Sequence, residues 1–269
     1  MKSVLIILKE HFQNIYLISR LSLYDLKNTY SATMLGNVWV ILNPLIQIFV
    51  YWLVFGLGIR GGAPVNGVPY FLWLICGLIP WFYISAAINK GSNSIYSKLN
   101  TVSKMNFPLS IVPTYTVTAQ LYNHIILLCI LLFAVFTSIG FNSLNVLLIG
   151  YFTLSSTMLL ISLSFITSTL STLVRDVNIL VQSVVRMLFF LTPILWVPQI
   201  NELPFFFKIL FYLNPFYYVT EGYRQILLYD NTSTIISYNT LYFWNLVLIL
   251  FFTGAFLHVK FRKQFVDSL

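Results

Sequence analysis

Apolar residues fill this chain in long runs separated by short polar breaks. Six runs are long enough to cross a bilayer as helices, at about 36–59, 70–89, 109–138, 145–173, 178–197 and 238–259. A helix rising 1.5 Å per residue needs about 20 apolar residues to cross a hydrocarbon core about 30 Å thick. The segment RGGAPVNGVP after the first run and GFNSLN after the third read as loops on one common side. Ahead of the first run, Leu5, Leu8, Phe12, Ile15, Tyr16 and Ile18 recur at helical spacing with Lys9, Glu10, Gln13, Asn14 and Arg20 between them. This pattern predicts an amphipathic helix within 1–30 that lies in the membrane interface instead of crossing it. The polar NTYSATMLGN that follows lets that helix fold away from the first span.

A further apolar stretch, 205–229, is long enough to cross but carries Lys208, Asn214, Pro215, Glu221 and Arg224. Each charge at mid-bilayer costs about 3 kcal/mol on insertion scales. Pro215 divides the stretch into two pieces, each too short to span. Two readings remain, a re-entrant helical hairpin dipping in from the outer face or an interfacial helix on the outer leaflet; the hairpin is the expectation carried forward. Glu221 and Arg224 stand three residues apart, on one helix face, where they can pair. With six spans and both termini cytoplasmic, 11 of the 15 Lys and Arg residues fall on the inner side, as the retention of basic residues in the cytoplasm requires.

Composition agrees: 58% of residues are hydrophobic and only 8% charged, against about a quarter charged in soluble domains. The net charge of +8 then reflects basic residues held at the cytoplasmic face and not a nucleic-acid surface. Cys76 and Cys129 both lie inside apolar runs, as small hydrophobes and not as a disulfide or metal ligands. The segment MKSVLIILKEHF has too short an apolar core for a cleavable signal peptide and is expected to be retained. No phosphate loop, HExxH, GxSxG or CxxC motif is present, and His11, His124 and His258 have no partner spacing. The chain is therefore expected to have no catalytic residue and no metal or cofactor of its own. All seven acidic residues fall outside the predicted span cores, which argues against ion-coupled transport and leaves passage driven by a cytoplasmic partner.

Two cytoplasmic loops could meet such a partner. In 89–108, Ile95, Leu99, Val102 and Met105 are spaced like one face of a short helix, suited to a groove on another protein or, equally, to the inner leaflet with Lys90, Lys98 and Lys104. In 174–178, Arg175 and Asp176 lie between two spans, as a docking point or as an ordinary turn. For a polar path, the third span offers Thr114, Thr118, Gln120, Asn123 and His124, and the hydroxyl-rich fourth offers Ser164 and Thr167. Such groups also serve ordinary helix-helix contacts in membranes.

Several stretches together resemble a known family. YDLKNTYSATMLGNVWVILNPLIQ, GLIPWFYISAAINKGSNSIYSKLNTVSKMNFPLSIVPTY, STLVRDVN and LNPFYYVTEGYR resemble the permease subunit of ABC-2 type exporters that move lipid-linked cell-surface polymers. HFQNIYLISRLSLYDLK, STLSTLVRDVNILVQSVVRMLFF and LHVKFRKQFVDSL resemble the wall teichoic acid exporter permeases of Gram-positive bacteria. The resemblance runs almost end to end and implies one all-α transmembrane domain over 1–269 in the plasma membrane. It also implies a homodimer with two copies of a separate ATP-binding subunit, which binds ATP and magnesium. The implied substrate is a polyol phosphate chain on undecaprenyl diphosphate, with another surface polysaccharide, or small drugs or lipids, as the alternative. The loop containing Ser94, Ile95, Tyr96, Lys98, Leu99, Val102, Lys104 and Met105 would be the coupling helix, with Arg175 and Asp176 a second contact. The hinge at about 28–36, with Thr29 and Tyr30, would border the cytoplasmic entrance, and the re-entrant helices would cap the outer end. Arg20, Lys27 and Arg175 could gather the diphosphate headgroup there, although retention of basic residues explains them as well.

Overall fold

The computed structural model describes residues 2–29, 31, 33–102, 108–140, 143–198, 204–233, 235 and 237–267. Among these residues every regular element is a helix, and the one β-bridge joins Val65 to Val68 in the first loop. Five helical stretches are long and apolar enough to cross a membrane: Gly36–Ile59, Tyr70–Ser92, Ile111–Ser138, Leu144–Leu173 and Tyr238–Phe261.

The first stretch is not uniform. A 3₁₀ turn at Gly36–Val38 leads into α3 (Trp39–Tyr51), and Trp52–Ile59 is π-helical, with the Arg60 amide reaching back five residues to the Phe55 carbonyl. The helices α4 (Tyr70–Ser92), α6 (Ile111–Ser138), α7 (Ser143–Leu173) and α11 (Tyr238–Phe261) form the rest of the bundle. At its centre, α4 packs against α6, α7 and two shorter helices, α8 (Asp176–Leu191) and α10 (Pro215–Tyr229). Small residues permit the closest crossings: a Cβ on Gly91 would strike the Ser164 side chain, and one on Gly222 would strike Phe152. Cys76 is buried inside α4, whereas Cys129 is exposed on α6.

The fifth predicted span, 178–197, takes a shorter form. α8 has 16 residues, about 24 Å of helix, and stops at Leu191 because Thr192 is extended ahead of Pro193. The stretch 205–229 is divided where Pro215 predicts, into α9 (Phe205–Leu213) and α10, of 9 and 15 residues. Asn214 caps α10 by accepting the amide of Phe216 at 3.0 Å, with Pro215 at the first helical position. Its Nδ2 donates to Thr192 Oγ1 at 2.9 Å, so one residue joins the α9–α10 break to the end of α8. Asn145, near the start of α7, donates to the Ile226 carbonyl at 3.1 Å, and Tyr218 and Thr240 share a hydroxyl hydrogen bond of 3.0 Å. α10 is thus held beside the starts of α7 and α11.

The opposite end is built from the N-terminal segment. The amphipathic pattern over 1–30 forms two helices, α1 (Lys2–Gln13) and α2 (Ile15–Asn28), broken at Asn14. α1 lies along α11 and α2 along α6. Glu10 accepts from Ser110 Oγ at 2.5 Å and pairs with Arg262 at 3.2 Å, joining the N-terminus, the start of α6 and the end of α11. The His11 imidazole donates through Nδ1 to the Ile7 carbonyl and meets Thr114 Oγ1 at 2.7 Å. Burial pushes His11 below its ordinary pKa of 6.5, against the opposing pull of the Ile7 carbonyl and Glu10.

Candidate functional site

The helix α5 (Ser94–Val102) follows α4 at the end where both termini meet. The described part of its apolar face is covered inside the chain: Ile95 and Leu99 are buried with Ile18, Ile111, Val112, Tyr115 and Phe265. A partner would therefore meet the other face of α5, where Tyr96 and Ser97 are exposed. Arg175 stacks on Tyr96 with its guanidinium carbon 4.9 Å from the ring centroid, so the two loops singled out from sequence form one patch. Asp176, next to Arg175, is exposed, and Ser94 is buried. Lys104, Met105 and Tyr30 lie outside the described residues, as does the side chain of Val102.

Two polar cavities open behind this patch. The first, about 430 Å³, is lined by α2, α4, α5, α6 and α8, including Thr29, Asn93, Gln182 and the pair formed by Lys98 Nζ and Asp25 Oδ1 at 2.9 Å. Lys98 also lies 4.3 Å from the Tyr115 ring centroid. The second, about 310 Å³, lies between α3, α4 and α6. Asn89 and Lys90 line both cavities and so stand at their junction. Arg20 and Lys27 are exposed on α2 and line neither cavity.

The predicted path residues separate. Gln120, Asn123 and His124 line the second cavity, and Asn123 donates to Gln120 Oε1 at 3.3 Å. His124 is also bound into the bundle, stacked on Tyr83 at 4.9 Å and 2.9 Å from the Tyr223 hydroxyl, which in turn meets Thr153 Oγ1 at 2.7 Å. Thr114 is buried against His11, Thr118 donates to the Thr114 carbonyl, Ser164 packs against Gly91, and Thr167 donates to the Leu163 carbonyl. Sequence reasoning missed Asn43 and Gln47 of the first span, which line the second cavity. Their signal was visible: two amides one helical turn apart, flanking Pro44, in an otherwise apolar run.

At the other end of the bundle, Glu221 and Arg224 do approach, at 3.5 Å, but this is the lesser part of what Arg224 does. Its guanidinium is fully buried and donates to the carbonyls of Pro193 at 2.7 Å, Ile194 at 2.9 Å and Trp73 at 3.3 Å. The group lies 3.5 Å from the centroid of a Trp73 ring, and a Cβ on Gly77 would collide with Nη2. Arg224 thereby joins α10 to α4 and caps the chain where α8 ends.

The short helices α9 and α10 thus close one end of a bundle whose long helices are apolar enough to cross a membrane. Residues 16–228 match the ABC-2 type transporter family, and the chain belongs to it. Two relatives carry the name O-antigen export system permease protein RfbA. The one from Myxococcus xanthus is 26% identical over 220 residues, 82% of this chain and 83% of the relative. One from Klebsiella pneumoniae is 26% identical over 239 residues, 88% and 90% of the two chains.

Proposed function

We propose that this chain is the membrane subunit of an ATP-driven exporter of lipid-linked surface polysaccharide, acting as a homodimer with two copies of a separate ATP-binding subunit that holds ATP and magnesium. The observation that carries the reading is the polar route from the Lys98 cavity through Lys90 to the amides beside the first span, in a chain whose named relatives export O-antigen. A polyanionic or polyhydroxylated chain cannot cross hydrocarbon without such a route, since each unpaired polar group costs several kcal/mol.

The topology we propose has six crossings and both termini in the cytoplasm. It is supported by the contacts that gather α1, α2, α5 and the end of α11 at one end. An even number of crossings is then required, and five helices are long enough to span. α8 with the residues after it supplies the sixth crossing. α9 and α10 form the re-entrant cap on the outer side. The exposed patch of Tyr96, Ser97, Arg175 and Asp176 is the surface we assign to the ATP-binding subunit, and Thr29 and Lys98 border the substrate entrance.

Arg186 supports the homodimer. It is exposed on α8, ten residues from the helix start and so about 15 Å deep, with a hydrogen bond of 3.1 Å to Ser183 Oγ. Facing lipid there it would cost about 3 kcal/mol or more. Facing a wet path between two copies it would not.

The finer reading, a wall teichoic acid of polyol phosphate on undecaprenyl diphosphate in a Gram-positive cell, rests on the segments quoted from the sequence. Depletion of the chain separates the outcomes. Loss of surface polyol phosphate with intracellular build-up of its lipid-linked form supports the finer reading, and loss of a phosphate-free glycan assigns another polysaccharide. Normal levels of every surface polymer would overturn the exporter reading.

A further inference from the structure

We infer that the cavity between α3, α4 and α6 is a binding subsite for a hydroxyl-rich, phosphate-bearing segment of a lipid-linked glycan. The inference rests on the exporter reading and assigns it a place within a single copy of the chain.

The lining sets the chemistry. Five amide side chains, Asn43, Gln47, Asn89, Gln120 and Asn123, meet in one cavity with a single cation, Lys90, and no carboxylate. Amides donate and accept together, which suits hydroxyl groups, and the Lys90 ammonium suits an anion, because the nearest carboxylate, Asp25 in the adjoining cavity, is already paired with Lys98 at 2.9 Å. Phe82 and Tyr83 add aromatic surface to the same wall.

The energetics say that the cavity is not filled by lipid. Gln47 lies eleven residues from Gly36, about 16 Å into the bilayer. Asn43 and Gln47 are exposed in the single chain at this depth, and Asn89 Oδ1 and Asn123 Oδ1 are buried with no partner among the described residues. Pro44 adds an acceptor, because it has no N–H for the carbonyl of Val40, which also lines the cavity. Left against hydrocarbon, each such group would cost several kcal/mol. The volume of about 310 Å³ holds on the order of ten waters at ~30 Å³ each and falls at the lower end of ligand cavities. A ligand with several hydroxyls and a phosphate could replace those waters group for group. Its way in is the junction at Asn89 and Lys90, shared with the cavity that opens beside α5.

Such chemistry could come from the exported glycan or from a bilayer phospholipid headgroup, and cysteine labelling distinguishes them. In the full chain, with Cys76→Ala and Cys129→Ala, Ala86→Cys places a thiol in the cavity wall, and Ser85→Cys is the second position should the first disturb folding. In phosphatidylcholine nanodiscs a small water-soluble thiol reagent is expected to react there. A polyprenyl diphosphate carrying a disaccharide, at about ten times its Kd, should slow the reaction about tenfold, since only the unoccupied fraction reacts. Asn43→Leu with Gln47→Leu should abolish that protection. No labelling at either position, no protection, equal protection by phosphatidylglycerol, or protection that survives the double substitution would each overturn the subsite. Export by a chain whose cavity stays unprotected would leave the exporter reading standing and remove only this one.

Discussion

Removal of Arg224 should be the most destabilising single truncation in the half of the bundle that holds α10. Arg224→Ala strips donors from the carbonyls of Pro193 and Ile194, which lie at 2.7 and 2.9 Å, and from Trp73 at 3.3 Å. Hydrogen bonds to a charged group contribute about 1.5–3 kcal/mol each, so the two short ones alone account for about 3–6 kcal/mol. The desolvated stack on Trp73, 3.5 Å away, adds about 2 kcal/mol. Against this, deleting the guanidinium also removes the cost of keeping a charge out of water, several kcal/mol. The net loss, about 3–5 kcal/mol, matches what breaking a buried charged network costs elsewhere, and it corresponds to a fall in Tm of about 10 °C for a domain of this size. Arg224→Lys should recover less than half of it, because one ammonium cannot reach three carbonyls in the fork geometry of a guanidinium. Glu221→Gln should cost under about 1 kcal/mol, since the 3.5 Å pair is long and Glu221 keeps a quarter of its side chain exposed. Thermal melts in nanodiscs, read by fluorescence-detected size exclusion, decide the matter. An Arg224→Ala melt within about 3 °C of the parent, or a Glu221→Gln loss as large as that of Arg224→Ala, would refute the carbonyl-cap argument.

Three further outcomes follow from the geometry. The folded-state pKa of His11 is depressed, so the docking it supports is complete above its ordinary 6.5 and is lost as pH falls through the lower folded value; a spin label at exposed Phe12 should gain mobility between pH 7.5 and 5, His11→Asn should remove that dependence, and a pH-independent parent would contradict it. Gly222→Ala forces a methyl into Phe152 and should cost about 1–3 kcal/mol by overpacking, whereas Gly150→Ala, with open space around its Cβ, should be neutral or stabilising; equal melts for the two would contradict the close crossing. Tyr96→Ala with Arg175→Ala should weaken co-purification of an ATP-binding subunit with little change in melting temperature, and unchanged recovery of the complex would remove the patch from the interface.

The helical class, five of the six expected spans and the break at Pro215 were legible because they depend on composition and period, which are local. What was not legible depends on which neighbour a face meets. The spacing of Ile95 and Leu99 announced an apolar face correctly, but not that Ile18, Tyr115 and Phe265 would cover it. The interval between Glu221 and Arg224 announced an ion pair, while the main partners of Arg224 are backbone carbonyls some 30 and 150 residues away, which have no side-chain signature. The fifth span read as continuous because Thr192 and Pro193 sit inside an apolar run, where hydropathy outweighs a single backbone break. Asn43 and Gln47 were readable but passed over, since two amides in an apolar helix acquire meaning only once Asn89, Gln120 and Asn123 converge on them.

The cover over Ile95 and Leu99 has a mechanical meaning. α5 shares one small core with α2, the start of α6 and Phe265 near the C-terminus, and Lys98 ties it again to Asp25. A load applied to the Tyr96 face cannot swing α5 alone, as it would a helix on a loose tether. It displaces α5 together with the residues that share its core, and Asp25, Thr29 and Lys98 line the cavity beside it. A displacement of the Tyr96 face would thus change the shape of the cavity that Asp25, Thr29 and Lys98 line.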